Sequence, residues 1–179
     1  MGLDVNAYSG CAKLDVVFDA NGEPIDPNTR KLIDYDKYIR IYLNPDFPGR
    51  ANEFEDKAFY SYKNSASINC GAYSRYNRWR DDLAKLAGYP VGQYEQYGTK
   101  YDSHCVPCWT GETGPFSELI NFSDGEGVIG ASVSKKLAAD FAEFQTKANA
   151  HHDEYFRKKY TEWRTAFDLA SDSGCVRFS

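Results

Sequence analysis

Three segments with a helical spacing of apolar residues constrain this chain more than any other feature of its sequence. They span residues 74–87, 132–148 and 153–170. In each, large apolar side chains recur every three or four positions, which places them on one face and predicts an amphipathic helix. The apolar positions are Tyr76, Trp79, Leu83 and Leu86 in the first segment, Val133, Leu137, Phe141, Phe144 and Ala148 in the second, and Phe156, Tyr160, Trp163, Phe167 and Ala170 in the third.

The ends of these segments carry start and stop signals. Ser74, and either Ser132 or Ser134, can accept a hydrogen bond from the first free amides and are the predicted N-caps. Gly88 ends the first helix and Gly174 ends the third, because glycine adopts the left-handed conformation without a steric penalty. The caps and glycines therefore predict the helix boundaries independently of the apolar spacing.

Strand signals are short and lie mostly in the N-terminal half. The clearest is residues 37–43, where tyrosine and charged residues alternate with isoleucine and leucine, as in a strand with one buried face. Residues 3–8 and 12–18 are rich in β-forming side chains and are predicted to pair with each other. Further short strands are predicted at 58–62 and 176–178.

The connections are predicted from turn-forming residues. Residues 19–28 contain an Asn-Gly pair and two prolines and predict a turn. Residues 64–71 are interpreted as a polar loop. Residues 91–113 show no periodicity and are long for a plain connection, which indicates a functional loop or a short element without a clear pattern. Strands early and helices late predict an α+β fold, with an antiparallel sheet from the N-terminal half covered by about three helices from the C-terminal half.

Length and charge limit the classes of protein. A chain of 179 residues is expected to form a single domain, residues 1–179. Its net charge of −5 argues against general nucleic-acid binding. No signal peptide and no membrane span are recognised in the sequence, so a cytoplasmic location is expected. Five cysteines without an export signal predict reduced thiols.

Residues 114–130 join an apolar run to an acidic, glycine-rich loop. Asp124 and Glu126 flank Gly125, and their carboxylates are candidate ligand-binding groups. One interpretation is a corner that binds a cation or a hydroxyl group. The other is a turn whose carboxylates accept hydrogen bonds from backbone amides or from a nearby helix N-terminus. Both stay open at the level of the sequence.

Residues 73–80, YSRYNRWR, interleave aromatic and arginine side chains at a helix start. Arg75 and Arg78 fall on the solvent-facing stripe, where their guanidinium groups match phosphate oxygens, and the helix N-terminus adds free amides. Tyr73 can add a stacking face for a base. This pattern predicts an anion or nucleotide site. The alternative is a solvated basic edge of an amphipathic helix, paired with acidic side chains.

Cys105 and Cys108 form the one cluster with metal-ligand spacing. A single C-x-x-C is half of a zinc site, and the missing ligands could come from Cys11, Cys70 or a histidine. Thiol redox chemistry is the second hypothesis. This hypothesis is weakened because residues 110–115 are interpreted as a loop and not as a helix whose N-terminus would lower the pKa of the first thiol. The third is that both thiols are inert or form a local disulfide.

His151 and His152 stand at the start of the third helix. Neighbouring positions on a helix point about 100° apart, so the pair does not chelate one ion. Either histidine could complete a metal or acid-base site with Asp124 and Glu126, which defines a metal-assisted hydrolase as an alternative function. The alternative without a function is that the two histidines cap the helix or contact solvent. Established catalytic motifs are absent, which lowers the expectation of an enzyme.

Five motifs mark the start of the chain and most of it from Gly71 onward: MGLDV, GAYSRYNRWRDDLAKLAG, GPFSELINFSDGEGVIG, SKKLAADFA, and a closing run that includes Trp163, Phe167 and Phe178. Together they resemble a family of small uncharacterised proteins of bacteriophages and prophages. The resemblance implies a phage setting and no activity. Relatives often carry cysteine where this chain has Gly125, so no thiol-based role is implied for the loop.

The expected function is that of a phage-associated cytoplasmic binding protein that takes a small anionic ligand, such as a nucleotide, to counter host defence. Its predicted ligand-binding residues are Tyr73, Arg75, Arg78, Asp124 and Glu126. The alternatives are the hydrolase, with zinc as a cofactor candidate, and an inhibitor that binds a host protein through exposed aromatic side chains.

Overall fold

The structure, a computed structural model, describes residues 2–122 and 126–179. Its largest sheet has four antiparallel strands. In it, the first strand of the chain lies between the last strand and a strand from its middle. The spatial order is β10 (Gly127–Gly130), β11 (Cys175–Phe178), β1 (Gly2–Ser9) and β7 (Asn64–Ala72).

Three smaller sheets come from the rest of the chain. A three-stranded sheet has the order β2, β6, β5, and two hairpins pair β3 with β4 and β8 with β9. A short 3-10 helix, Tyr35–Lys37, precedes β5. These strands are β2 (Ala12–Lys13), β3 (Val17–Phe18), β4 (Pro24–Ile25), β5 (Tyr38–Arg40), β6 (Phe59–Ser61), β8 (Gly92–Gln96) and β9 (Thr99–Ser103).

The helices lie mostly in the C-terminal half, which confirms the predicted α+β class. The longest, α6, packs against α4 and against strands β1 and β7 of the main sheet. Within residues 2–122 and 126–179, no helix combines the length and the apolar character that crossing a bilayer requires. The helices are α1 (Tyr73–Ala87), α2 (Val106–Trp109), α3 (Ser117–Asn121), α4 (Ala131–Glu143), α5 (Gln145–Asn149) and α6 (Glu154–Ala170).

The predicted helices are observed, with changes at their ends. The segment 132–148 is divided into α4 and α5 at Phe144. The predicted serine caps are wrong: α1 and α4 have no side-chain cap, and the Ser132 amide instead donates to Glu53 Oε1 at 2.7 Å. Asp153 caps α6 by accepting from the Tyr155 amide at 2.8 Å. Gly88 ends α1 at a φ of 94°.

Two sequence-based strand and loop predictions need correction. Residues 64–71 are not a loop, because they form most of β7, in which Ile68 and Cys70 alone are fully buried. Residues 3–8 and 12–18 do not pair with each other, since β1 pairs with β7 and β11 while β2 pairs with β6. For residues 91–113, the alternative of short elements without a clear pattern is the one observed, since the segment contains the β8–β9 hairpin and α2.

The main core lies between the four-stranded sheet and the helices. Its centre is a stack of aromatic rings in which Trp163 of α6 lies 5.6 Å from Trp79 and 5.7 Å from Tyr76, both on α1. A second, smaller apolar cluster brings together the three-stranded sheet and residues of β10 and β11, with Ile39, Ile41, Phe54, Tyr60, Val128 and Cys175 among its buried members.

Candidate ligand-binding site

A cleft of about 570 Å³ separates α1 from the β8–β9 hairpin, and we call it the α1–hairpin cleft. One wall is the solvent-facing side of α1, and the other is the hairpin together with the start and end of α2. The lining side chains are polar, charged and aromatic. They are Asn77, Arg78, Arg80 and Asp81 of α1; Tyr94, Glu95, Gln96, Asp102 and Ser103 of the hairpin; and Cys105 and Trp109.

Arg80 is the unusual side chain of this cleft. It is only 2% exposed, although arginine is rarely buried unless it is paired. Its Nη1 donates to the Ile120 carbonyl oxygen at 2.8 Å, and its Nη2 donates to Asn77 Oδ1 at 2.7 Å. Its Nε has no hydrogen-bond partner, and it forms no ion pair with a carboxylate in the described parts of the chain. The guanidinium is therefore a buried cation without a charged partner there.

The position of Arg80 follows from the helix. It lies four residues after Tyr76 and three before Leu83, both fully buried, so it falls at the edge of the apolar stripe of α1. Its guanidinium lies 4.9 Å from the centre of the Tyr76 ring. Arg80 was not among the predicted ligand-binding residues, which on α1 were Tyr73 and the two arginines of the solvent-facing stripe, Arg75 and Arg78. The spacing from Tyr76 was the available signal.

Aromatic side chains form the opposite wall. The Tyr94 ring stacks on Tyr101 across the hairpin with ring centres 5.5 Å apart, and it lies nearly perpendicular to the Trp109 ring with centres 5.3 Å apart. Trp109 is 38% exposed, so its indole is available at the mouth of the cleft. Ring faces of this kind bind bases and other planar groups by stacking. Neither Tyr94 nor Trp109 was predicted as a site residue.

Asp81 ties the two walls together. Its Oδ1 accepts a hydrogen bond from Ser103 Oγ and another from the His104 amide, both at 2.6 Å. The Cys105 amide in turn donates to Ser103 Oγ at 3.0 Å. The carboxylate of α1 therefore holds the end of β9 and the start of α2 in place, and with them the aromatic wall.

The predicted residues of α1 are divided between two cavities. Arg78 is exposed and lines the α1–hairpin cleft. Arg78 also lines a neighbouring cavity of about 380 Å³, together with Arg75. There the Arg75 guanidinium lies 5.4 Å from the centre of the Tyr155 ring. Tyr73 is half-buried and packs against the main core, so its ring is not an open stacking face.

The predicted acidic residues lie elsewhere or outside the description. Glu126 is exposed and lines a separate cavity of about 250 Å³ with Tyr42, Arg177 and Ser179, among others. Its backbone carbonyl accepts from Asn44 Nδ2 at 2.7 Å. Asp124 lies outside the described residues. The structure therefore does not bring Glu126 into the cavities that Arg75 and Arg78 line.

The thiols of Cys105 and Cys108 are both buried. Burial raises the pKa of Cys105 to about 11 and also raises the pKa of Cys108, so both thiols stay protonated at neutral pH. Residues 110–115 lie outside any helix, as the sequence predicted, but the short helix α2 begins directly after Cys105 and was not predicted. Within residues 2–122 and 126–179 there is no group of three histidine, cysteine or acidic side chains that could hold a metal ion.

His151 and His152 precede α6 and stack on each other at 4.7 Å. The His151 ring also lies 4.1 Å from Phe156, and its backbone carbonyl accepts from Arg157 Nη1. Neither histidine is among the residues that line the cavity of Glu126. The hydrolase arrangement therefore stays a prediction that the described residues do not assemble.

Comparison with protein-family models, with curated proteins and with solved structures gives no match. The resemblance to phage proteins stays a prediction, and function has to be argued from the geometry of the α1–hairpin cleft.

Proposed function

We propose that this chain is a binding protein for a small anionic ligand with a planar ring, of the nucleotide class, which occupies the α1–hairpin cleft. The observation that carries the proposal is the buried guanidinium of Arg80, which lines the cleft and lacks a charged partner in the described parts of the chain.

An anionic group on the ligand would supply what Arg80 lacks. A buried cation that is hydrogen-bonded only to neutral groups has lost its hydration without gaining the attraction of an opposite charge. Phosphate and carboxylate oxygens match the donor geometry of a guanidinium, and charge-assisted hydrogen bonds are stronger than neutral ones. The exposed Arg78 on the same wall adds a second cation for the same group.

The other side chains of the cleft favour a ligand that has a planar ring and only a small negative charge. Tyr94 and Trp109 provide faces for stacking, and a cleft of this volume lies within the usual range for small-molecule sites. Two arginines share the lining with three carboxylates, those of Asp81, Glu95 and Asp102. The carboxylates can accept hydrogen bonds from hydroxyl or amino groups and would repel a polyphosphate. A nucleoside monophosphate fits this balance better than a triphosphate.

The phage resemblance extends the proposal to a setting. A protein that binds a host-made nucleotide without converting it would withdraw that nucleotide from host receptors, in keeping with the expected role against host defence. This extension depends on the resemblance and not on the cleft.

The test is thermal unfolding of the whole protein with nucleoside monophosphates, nucleoside triphosphates, nucleosides and inorganic phosphate. A ligand at about 100 times its dissociation constant stabilises the folded state by about 2.7 kcal/mol. Monophosphates should raise the melting temperature most. Arg80→Met should weaken binding by about tenfold or more, since a hydrogen bond to a charged group contributes about 1.5–3 kcal/mol. Trp109→Ala should weaken the binding of nucleotides and leave the binding of inorganic phosphate unchanged.

Arg164→Met is the matched control, because Arg164 of α6 is hydrogen-bonded to Gln145 of α5 and is not among the cleft-lining residues. Arg78→Met covers the case in which Arg80→Met does not fold, since Arg78 is exposed. If none of these ligands shifts the melting temperature of the wild-type protein, the proposal is wrong. The remaining candidate is then a protein partner at the hairpin tip, where Tyr97 is 97% exposed.

A further inference from the structure

Cys11 and Cys175 lie near the point where the first strand of the chain, β1, pairs with the last, β11. In the antiparallel ladder of β1 and β11, Tyr8 is directly opposite Cys175, and opposed residues share one face of a sheet. The chain then continues past β1, and the Cys11 amide donates to the Ser173 carbonyl oxygen at 2.8 Å. Residues 9–11 and 172–175 are thus held side by side by backbone hydrogen bonds.

The two thiols belong to the same apolar cluster. Cys175 is fully buried in it, and Cys11 packs against it while staying partly accessible. The Tyr8 and Tyr62 rings, 4.9 Å apart, also pack against this cluster. The backbone bonds and the shared cluster therefore place the two cysteine side chains close together. Proximity of two free thiols is the first requirement for a disulfide.

The two thiols differ in reactivity. The hydrogen bond from Cys175 lowers the pKa of Cys11, because it stabilises the Cys11 thiolate. The same hydrogen bond and burial raise the pKa of Cys175 well above its ordinary value, with the nearby Arg177 acting in the opposite direction. The accessible Cys11 is therefore the better nucleophile, and the buried Cys175 is placed to react second.

We propose that Cys11 and Cys175 are a redox-active dithiol that low-molecular-weight disulfides convert to an intramolecular disulfide. The Cys11 thiolate attacks one sulfur of the external disulfide, whose other half leaves as a thiolate and takes up a proton. Cys175 then loses its proton and attacks the Cys11 sulfur, which releases the second half as a thiol. Two cysteine thiols are oxidised, and one external disulfide is reduced to two thiols.

The disulfide would join the segment after β1 to β11. Cross-links between positions far apart in sequence restrict the unfolded chain strongly. Oxidation should therefore raise the melting temperature, and a dithiol reductant should reverse the change. This inference does not depend on the proposed ligand.

The test uses native full-length protein with excess oxidised glutathione, followed by thiol counting and peptide mapping. Free thiols should fall from five to three, and the map should contain one cross-linked pair, Cys11 with Cys175. Cys175→Ser should leave glutathione attached to Cys11, because the second thiol is missing. Cys11→Ser should leave all its thiols unreacted. Cys70→Ser is the matched control and should still lose two thiols.

Five free thiols after oxidation would overturn the proposal. So would a stable glutathione adduct on Cys11 of the wild-type protein, or a cross-link between any other pair. Should a serine variant not fold, the wild-type peptide map decides alone, and a short iodoacetamide pulse should label Cys11 before the other four cysteines.

Discussion

The two faces of the four-stranded sheet differ in how they are covered. On one face, α1, α4 and α6 form a core of interlocked aromatic rings. On the other, short strands and turns cover a smaller cluster that contains Phe54 and Tyr60. The helix face holds the fold together through many large side chains at once. The opposite face relies on few side chains and on backbone bonds between short strands.

This difference also separates the two proposed sites. The α1–hairpin cleft is built on α1, whose buried stripe anchors it in the larger core. The Cys11–Cys175 pair lies in the smaller cluster, where one thiol stays partly accessible. The helix gives the cleft a fixed geometry for binding. The smaller cluster leaves Cys11 partly accessible, as a thiol that reacts with an external disulfide has to be.

The same truncation on the two faces is the strongest test of this comparison. Phe167→Ala removes a fully buried ring from the helix face, where it stacks on Trp163 at 5.7 Å. Phe54→Ala removes a ring that is 7% exposed from the smaller cluster. Large-to-small changes of phenylalanine cost about 3–5 kcal/mol. The loss in free energy of unfolding should lie at the top of this range for Phe167→Ala and at or below its bottom for Phe54→Ala. Urea unfolding measures both losses.

Equal losses in the two variants, or a larger loss for Phe54→Ala, would break the comparison. The two faces would then contribute alike to the free energy of unfolding.

Gly174→Ala tests the junction between the faces. A methyl group there would lie 1.9 Å from the Tyr8 carbonyl oxygen, so the backbone next to β1 or β11 has to shift. Overpacking of this kind costs about 1–3 kcal/mol or more. Gly2→Ala is the control, since its added carbon would meet the nearest atom, a backbone oxygen, at 3.1 Å. An unchanged urea midpoint for Gly174→Ala would contradict the close packing of the chain ends.

The pH dependence of stability tests the burial of one thiol on the helix face, that of Cys70. Burial raises the pKa of Cys70, on the helix face, from 9.0 to about 12. Between these values the unfolded thiol is ionised and the folded one is not, so stability should fall as pH rises from about 9 towards 12. Cys70→Ala should lose less stability over this range. Parallel curves for the two proteins, measured by urea unfolding at several pH values, would show that Cys70 does not titrate as stated.

Much of the fold could be predicted from periodic patterns. The helices at 74–87 and 153–170 and the strand around Ile39 follow from apolar spacing, because one buried face imposes its period on the sequence. β7 could not be predicted in this way. Its nine residues, NSASINCGA, are small and mostly polar, and β1 beside it with α6 packed against it makes the segment a strand.

The site could be predicted only in part. Arg78 followed from the pattern YSRYNRWR, and it does line the α1–hairpin cleft. Arg80 was not predicted, because its spacing from Tyr76 places it at the edge of the apolar stripe but does not say whether its side chain is buried. Tyr94 and Trp109 were missed because the hairpin that positions them lacks a clear alternation.

The sequence by itself determined the amphipathic helices, the main turns and the α+β class, since these depend on the spacing of neighbouring residues. Only the tertiary structure decided which strands lie side by side, which arginine is buried beside a cleft, and which two of the five cysteines lie in the same apolar cluster. Those outcomes depend on contacts between residues far apart in the chain, and local sequence patterns carry no record of such contacts.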